Sequence, residues 1–216
     1  MDQIQNILFS NFNLFSGFLA CLIFILLKNK LNKLQKFIGL FVGICFLFDI
    51  AAYAIGYYYK NNQWFYNLAI LVETSFLFFI YYQLFSSTYI KRAIKYAYPG
   101  FLFFFFLNYL FIQKQFVFNN YTFVPSYAFL ALLAFKHLQQ CVDELVENPF
   151  ANFVFWFSMA NLLDFTVSAP LLGILSWFAF ENEKIASSLY LINDLVYVAW
   201  FTILSIGIIW TSKHPK

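Results

Sequence analysis

Seven apolar runs, separated by short polar breaks, fill almost the whole chain and restrict its fold more than any other feature. They cover residues 7–27, 37–59, 64–86, 96–113, 120–141, 151–179 and 187–211. A helix that crosses the hydrocarbon core of a bilayer needs about 20 apolar residues, so each run has roughly the required length. The sequence therefore predicts an all-α membrane protein, a seven-transmembrane-helix bundle that forms one domain over residues 1–216.

The scarcity of charge supports the same fold class. Only 11% of the 216 residues are charged and 62% are hydrophobic, with a mean hydropathy of +0.71. Soluble domains carry about a quarter charged residues, which cover their surface. We therefore expect the lipid bilayer to surround this chain. Its basic residues are accounted for by membrane topology, so nucleic-acid binding is not expected.

The distribution of Lys and Arg between the breaks predicts the orientation. Breaks on one side hold ten basic residues and those on the other side hold three. Cytoplasmic loops of membrane proteins carry the excess of Lys and Arg, so the prediction is an N-out/C-in topology. The side with three holds Lys60, Lys114 and Lys184, and the side with ten holds Lys28, Lys30, Lys33, Lys36, Lys91, Arg92, Lys95, Lys136, Lys213 and Lys216.

Two segments of the chain indicate an internal repeat. Residues 46–49 read Phe-Leu-Phe-Asp and residues 161–164 read Asn-Leu-Leu-Asp, and in each case a further acid follows in the next run. Runs one to three and five to seven would then form parallel triplets joined by run four, a 3+1+3 pseudo-repeat. Transporters with such repeats bind their substrates at the interface between the repeats.

Four acidic residues lie inside the apolar runs and mark the candidate site. A charged carboxylate at the middle of a bilayer costs at least about 2.5–3.5 kcal/mol, so these side chains should face the bundle interior. One interpretation is a polar cavity that binds a cation, an amine or a proton. The other is that protonated carboxyl groups hydrogen-bond to polar neighbours and hold helices together. With polar neighbours at helical spacing, the candidate ligand or proton-site residues are Asp49, Glu73, Asp164, Asp194, Asn193, Asn161 and Tyr53.

Retinal and metal chemistry are not expected. A retinal Schiff base needs a lysine midway along the last helix, and the last run has none before Lys213, which lies beyond its end. Zinc and haem sites need clustered His, Cys or acidic ligands. The only histidines are His137 and His214, and the three cysteines form no CxxC pair. We therefore predict no metal and no cofactor.

Catalysis is also not expected. The chain has no GxSxG, P-loop or HExxH motif. The hydroxyls of Ser158, Thr166 and Ser168 have no histidine at a comparable depth, so a nucleophile would lack a base. We predict a protein that is not an enzyme and has no catalytic residues.

Several local patterns between about residues 61 and 210 resemble an uncharacterised family of seven-helix membrane proteins of Bacteroidota, found alone or as a membrane module before histidine kinases. The patterns are Asn62-Gln63-Trp64-Phe65-Tyr66-Asn67, Leu107-Asn108 with Phe111-Ile112-Gln113, Phe118-Asn119-Asn120-Tyr121-Thr122-Phe123, Asn148-Pro149 with Phe155-Trp156-Phe157-Ser158, and Leu189-Tyr190-Leu191-Ile192-Asn193. Two departures stand out. Residues 151–154 intervene between the Asn-Pro and Phe-Trp pairs, and Asp194 stands where the family often has His. The resemblance implies a seven-helix fold and a sensory association. We also expect a multi-pass protein of the bacterial inner (cytoplasmic) membrane.

These observations lead to one functional hypothesis and two alternatives. The leading one is a non-enzymatic membrane sensor or accessory subunit that couples an outer-half polar site to a partner protein in or at the membrane. The acidic segment 143–147 is a candidate contact for that partner. The alternatives are a small proton- or cation-coupled transporter and a structural subunit of a membrane complex.

Overall fold

A computed structural model describes residues 2–59, 62–113, 117–144, 148–181 and 183–213. In these ranges the chain forms seven long helices and short 3-10 and π turns, with no strand. The all-α fold class is confirmed. The helices are α1 (Asp2–Leu27), α2 (Lys33–Tyr59), α3 (Gln63–Leu84), α4 (Thr88–Leu107), α5 (Asn120–Glu144), α6 (Phe153–Glu181) and α7 (Glu183–Lys213).

Successive helices run antiparallel. Phe37, near the start of α2, stacks on Phe76, late in α3, while Phe48, late in α2, contacts Phe65, early in α3. Each helix packs against the next in the chain, and α7 also packs against α1, which closes the bundle. Because α3 packs directly on α5 as well, α4 lies on the outside of that contact.

Two of the polar breaks between the apolar runs are largely helical in the structure. The break at residues 87–95 is almost entirely helical, since α4 begins at Thr88. The break at residues 180–186 also shortens, because α6 extends to Glu181 and α7 begins at Glu183. Hydropathy marks only the part of a helix that fits the hydrocarbon core, whereas the backbone hydrogen bonding of a helix can continue through charged turns at the interface.

Five of the helices are long and apolar enough to cross a membrane, in the part of the chain that is described: α1, α2, α3, α6 and α7. Helix α4 begins with a basic stretch, and α5 carries Lys136 and polar residues near its end, so neither reaches the same hydropathy. Large apolar side chains such as Leu26 and Phe111 are more than 70% exposed. Soluble monomers rarely expose continuous apolar surface, so the chain is a multi-pass membrane protein. The count of seven spans stays a prediction.

A polar junction fixes the connection between α4 and α5 against α3. Asn67 of α3 donates from Nδ2 to the Val117 carbonyl (2.8 Å) and accepts at Oδ1 from the Asn119 backbone N–H (2.9 Å). Asn108, at the start of a π-helical turn that follows α4, donates to the Asn119 and Thr122 side chains. Several residues of the family-like patterns therefore have structural roles here.

Helices α6 and α7 approach each other closely at a glycine. A methyl group at Gly207 of α7 would lie 2.5 Å from Cβ of Trp156 on α6. Small residues commonly permit such backbone approach between membrane helices. This contact lies near the start of α6 and the end of α7, and it fixes the spacing of the two helices that carry Asp164 and Asp194.

Candidate functional site

A cavity of about 290 Å³ lies inside one end of the bundle and collects most of the predicted site residues. At this end, here called the cavity end, α2 and α6 finish and α3 and α7 begin. Asp49, Glu73, Asp194 and Asn193 all line the cavity. Its full lining is Asn13, Phe48, Asp49, Asn62, Gln63, Tyr66, Ala69, Ile70, Glu73, Phe118, Tyr127, Ser168, Leu172, Tyr190, Asn193, Asp194 and Tyr197.

The charge of this cavity is one-sided. Three carboxylates line it, and no Lys, Arg or His is found among its described lining residues. Oδ2 of Asp49 has no hydrogen-bond partner in the described protein. Glu73 is only 7% exposed, and its Oε2 accepts a hydrogen bond from the Tyr197 hydroxyl (3.3 Å). Walls that carry one sign of charge in a low-dielectric setting concentrate ligands of the opposite sign, so this cavity suits a cation or a hydrogen-bond donor.

Asp164 lies beside the cavity and is connected to it through Ser168. The Ser168 hydroxyl donates to Oδ1 of Asp164 (2.8 Å), as their spacing of four residues indicates. The same hydroxyl lies 3.3 Å from Oδ1 of Asn193, which does line the cavity. Asp164 itself lines a second, smaller cavity of about 20 Å³, and Glu73 lines both.

Asn161 joins three helices instead of pairing with Asp164. Its Oδ1 accepts from the indole N–H of Trp200 on α7 (2.8 Å), and its Nδ2 donates to the Tyr81 hydroxyl on α3 (3.2 Å). All three side chains are at most 5% exposed. Asn161 contributes to the wall of the smaller cavity, but both ends of its amide are already hydrogen-bonded.

Tyr53 is the one candidate that the structure does not bring to either cavity. Its side chain is 48% exposed and does not appear in the lining of either space. Four residues separate it from Asp49, a spacing that places two residues on roughly the same side of a helix. At Asp49 that side of α2 faces the bundle interior, whereas at Tyr53 it is exposed on the outside of the bundle.

Several lining residues were not among the sequence candidates, and one of them could have been found from helical spacing. Tyr66, Ile70 and Glu73 follow the i, i+4, i+7 spacing of one helix face, so extending that face from Glu73 would have found Tyr66. Tyr127 comes from α5, which has no acid near it, and its position depends on how α5 packs against α6.

One expectation about catalysis is wrong in its geometry. His137 lies near the end of α5 and Ser158 near the start of α6, and antiparallel packing brings His137 Nδ1 to 2.7 Å from Ser158 Oγ. Both side chains are almost fully buried, at 3% and 0% exposure, and neither lines one of the two cavities. Since no substrate could reach this pair without rearrangement, it serves as an interhelical hydrogen bond.

Aromatic side chains close the interior below the smaller cavity. Phe41 meets Trp200 edge-to-face with ring centroids 6.0 Å apart, and Tyr81 packs on Phe157 at the same distance. These four side chains are at most 5% exposed. The large cavity is therefore single-ended, with polar walls at the cavity end and a packed aromatic floor.

The described residues contain no group of three or more His, Cys, Asp or Glu placed to hold a metal ion. Comparison with protein-family models, with curated proteins and with solved structures gives no significant match. The resemblance to the seven-helix family of Bacteroidota stays an expectation from the sequence.

Proposed function

We propose that this protein is a non-enzymatic membrane sensor or accessory subunit, whose cavity binds a small cationic ligand and whose helices couple that binding to a partner protein. The observation that carries this function is the single-ended acidic cavity. Ligand pockets are concave, largely preformed and lined by apolar walls with a few convergent polar groups. A volume of about 290 Å³ is close to the lower bound of such pockets, which fits a small amine.

The proposed topology has seven spans with the N-terminus outside, in the bacterial inner membrane. Antiparallel packing puts the basic residues around the α1–α2 connection, the start of α4 and the end of α7 at the end of the bundle opposite the cavity. If that basic end is cytoplasmic, as the positive-inside rule indicates, the cavity faces outward. A ligand would then enter from outside the cytoplasm.

The proposed 3+1+3 pseudo-repeat agrees with the place of the site. It would relate Asp49 to Asp164 and Glu73 to Asp194. Three of these acids line the cavity, and the fourth is linked to it through Ser168. A site between two repeated triplets would collect one such pair of acids from each.

A path of three hydrogen bonds and one aromatic contact supports the proposed coupling from the cavity to the basic end. The Tyr197 hydroxyl binds Glu73 in the cavity wall, and the Tyr197 ring lies 6.2 Å from the ring of Trp200. Trp200 in turn donates to Asn161, which donates to Tyr81. This path joins α3, α6 and α7, so a ligand that moves Glu73 would shift the packing of all three. A partner protein that packs on these helices in the membrane would respond to that shift.

The test is affinity purification of the tagged chain from its membrane, with and without an added amine such as spermidine, followed by identification of co-purifying proteins. We expect a partner whose recovery changes with the amine. Asp49→Asn and Asp194→Asn should retain the partner but lose the change. The control is Thr166→Val, because Thr166 is exposed on α6, donates to its own helix and lines neither cavity.

Two results would overturn this function. If the purified chain alone moves protons or alkali cations across liposome membranes, it is a transporter. If the partner's recovery is the same with every cavity variant and every amine, the chain is a structural subunit whose acids only hold helices together.

A further inference from the structure

The smaller cavity, directly beside the acidic one, has the size of a single ion or water molecule. Its volume is about 20 Å³, and one water needs about 10–15 Å³ of such space. Its oxygen-bearing wall comes from Glu73 and Thr74 on α3, Tyr127 on α5, Asn161 and Asp164 on α6 and Tyr197 on α7. Four helices thus converge on a space that admits one small occupant.

Thr74 provides an independent sign that the space holds a ligand. The side chain is fully buried, and its hydroxyl has no hydrogen-bond partner in the described protein. Helical Ser and Thr usually donate to the carbonyl four residues earlier. Six others in this chain do so, namely Ser75, Ser126, Thr166, Thr202, Ser205 and Thr211. Thr74 departs from that pattern, and it is one of the residues that line the small cavity.

The two carboxylates of this cavity would be stabilised by a positively charged partner. Glu73 and Asp164 are 7% and 8% exposed, and their hydrogen bonds come from neutral groups: Tyr197 and Cys45 bond to Glu73, and Ser168 bonds to Asp164. No basic residue is among the described linings of either cavity. Buried carboxylates within a membrane protein are commonly paired, and here a pairing group would have to be a bound cation or a proton.

We propose that the small cavity binds one dehydrated monovalent cation, of the Na⁺ type, between the Glu73 and Asp164 carboxylates and the Thr74 hydroxyl. Mg²⁺ dehydrates reluctantly and usually keeps several waters, which a space that admits one small occupant does not hold. Because Glu73 faces both cavities, the cation sets the position of the carboxylate that an amine would meet. Cation binding does not depend on the proposed sensor function.

The experiment measures the unfolding temperature of the purified chain in detergent as NaCl replaces choline chloride at constant ionic strength. We expect the midpoint to rise with Na⁺ and then to saturate, as for any ligand that binds only the folded state. Thr74→Val keeps the shape but removes the oxygen, so it should raise the half-saturating Na⁺ concentration about tenfold, which corresponds to one lost ligand. Asp164→Asn should abolish the response, and Thr74→Ser should keep it.

Thr166→Val is the matched control, because Thr166 is exposed on α6 and donates to its own helix. It should leave the Na⁺ response unchanged. If a variant does not fold, broadening of the sodium NMR line by the wild-type protein still reports binding, and an excess of another alkali cation such as Li⁺ should narrow the line again.

Three results would overturn the cation site. An equal response to choline and Na⁺ means that a water or a shared proton occupies the cavity. A normal Na⁺ response in Thr74→Val removes Thr74 from the site, and a stronger response to Ca²⁺ than to Na⁺ overturns the monovalent class. None of these results changes the partner recovery seen with Asp49→Asn and Asp194→Asn, so the two proposals fail separately.

Discussion

The bundle interior has two parts: a cavity half around the large acidic cavity, and a sealed half around Asn161 and His137, where buried polar side chains bond to one another. In the cavity half, polar groups of α1 and α2 lack partners, as at Oδ1 of Asn13 and Oδ2 of Asp49. In the sealed half, Asn161 is bonded at both ends of its amide and His137 is bonded to Ser158. Helices α3, α6 and α7 contribute to both halves. The difference therefore lies in whether hydrogen bonds are complete, and polarity alone does not distinguish a site.

This contrast explains what a buried polar residue signifies in such a protein. Interhelical hydrogen bonds in membranes contribute about 0.6–2 kcal/mol each, so the sealed half gains stability from its polar groups. The cavity half gains little from Asp49, because one of its carboxylate oxygens has no partner. Retaining such a group in the membrane interior makes sense if it meets a ligand.

The largest effect is expected from Asn161→Leu in the sealed half. Leucine has a similar volume but leaves the buried Trp200 indole N–H without its partner and removes one of the two partners of the Tyr81 hydroxyl. An unsatisfied buried group costs about 1–3 kcal/mol and a lost hydrogen bond about 1 kcal/mol, so the two effects should lower the free energy of unfolding by about 2–4 kcal/mol. Reversible unfolding in mixed detergent micelles measures this change.

The control for that variant is Asp49→Asn in the cavity half. It removes a charge whose Oδ2 has no partner, so we expect stability to stay within about 0.5 kcal/mol or to rise. If both variants lose similar stability, the two halves do not differ as described, and Asp49 is a structural group like Asn161.

Sequence reasoning reached the fold more completely than the site. The apolar runs mark the long helices because the length of a membrane helix is set by the bilayer, which the sequence records directly. Polarity inside the runs identified Asp49, Glu73 and Asp194, and all three line the cavity. Helical spacing could not tell that Asn161 turns toward Trp200 and Tyr81, because these partners come from other helices.

The pairing of His137 with Ser158 is a second contact that the sequence alone could not predict. Each residue is an isolated polar group in its own apolar run, and the chain separates them by 21 positions. Their contact depends on the register between α5 and α6. That register is set by side-chain packing along the whole interface, and a single sequence does not show it. A search for a general base near Ser158 therefore needed the structure.

A smaller effect is expected from Gly207→Ala, which tests how tightly the sealed half is packed. The new methyl group would lie 2.5 Å from Trp156 Cβ, an atom fixed to the backbone of α6, so α6 and α7 must separate. Overpacking of this kind costs about 1–3 kcal/mol. Gly43→Ala is the matched control, since a methyl group there meets nothing within 4 Å and should add up to about 1 kcal/mol through helix propensity. Equal unfolding free energies for the two variants would contradict the close contact.

The smallest effect is expected from Tyr53→Phe, which tests where the cavity half ends. Tyr53 is 48% exposed and lines neither cavity, so losing its hydroxyl should change both the unfolding free energy and the amine response by amounts near zero, within the ±0.5 kcal/mol typical of surface substitutions. Tyr190→Phe is the matched comparison, because Tyr190 is similarly exposed, at 44%, but lines the cavity. It should weaken the amine-dependent change in partner recovery while leaving stability almost unchanged. An amine response that falls with Tyr53→Phe and survives Tyr190→Phe would move the site along α2, from Asp49 toward the exposed surface at Tyr53.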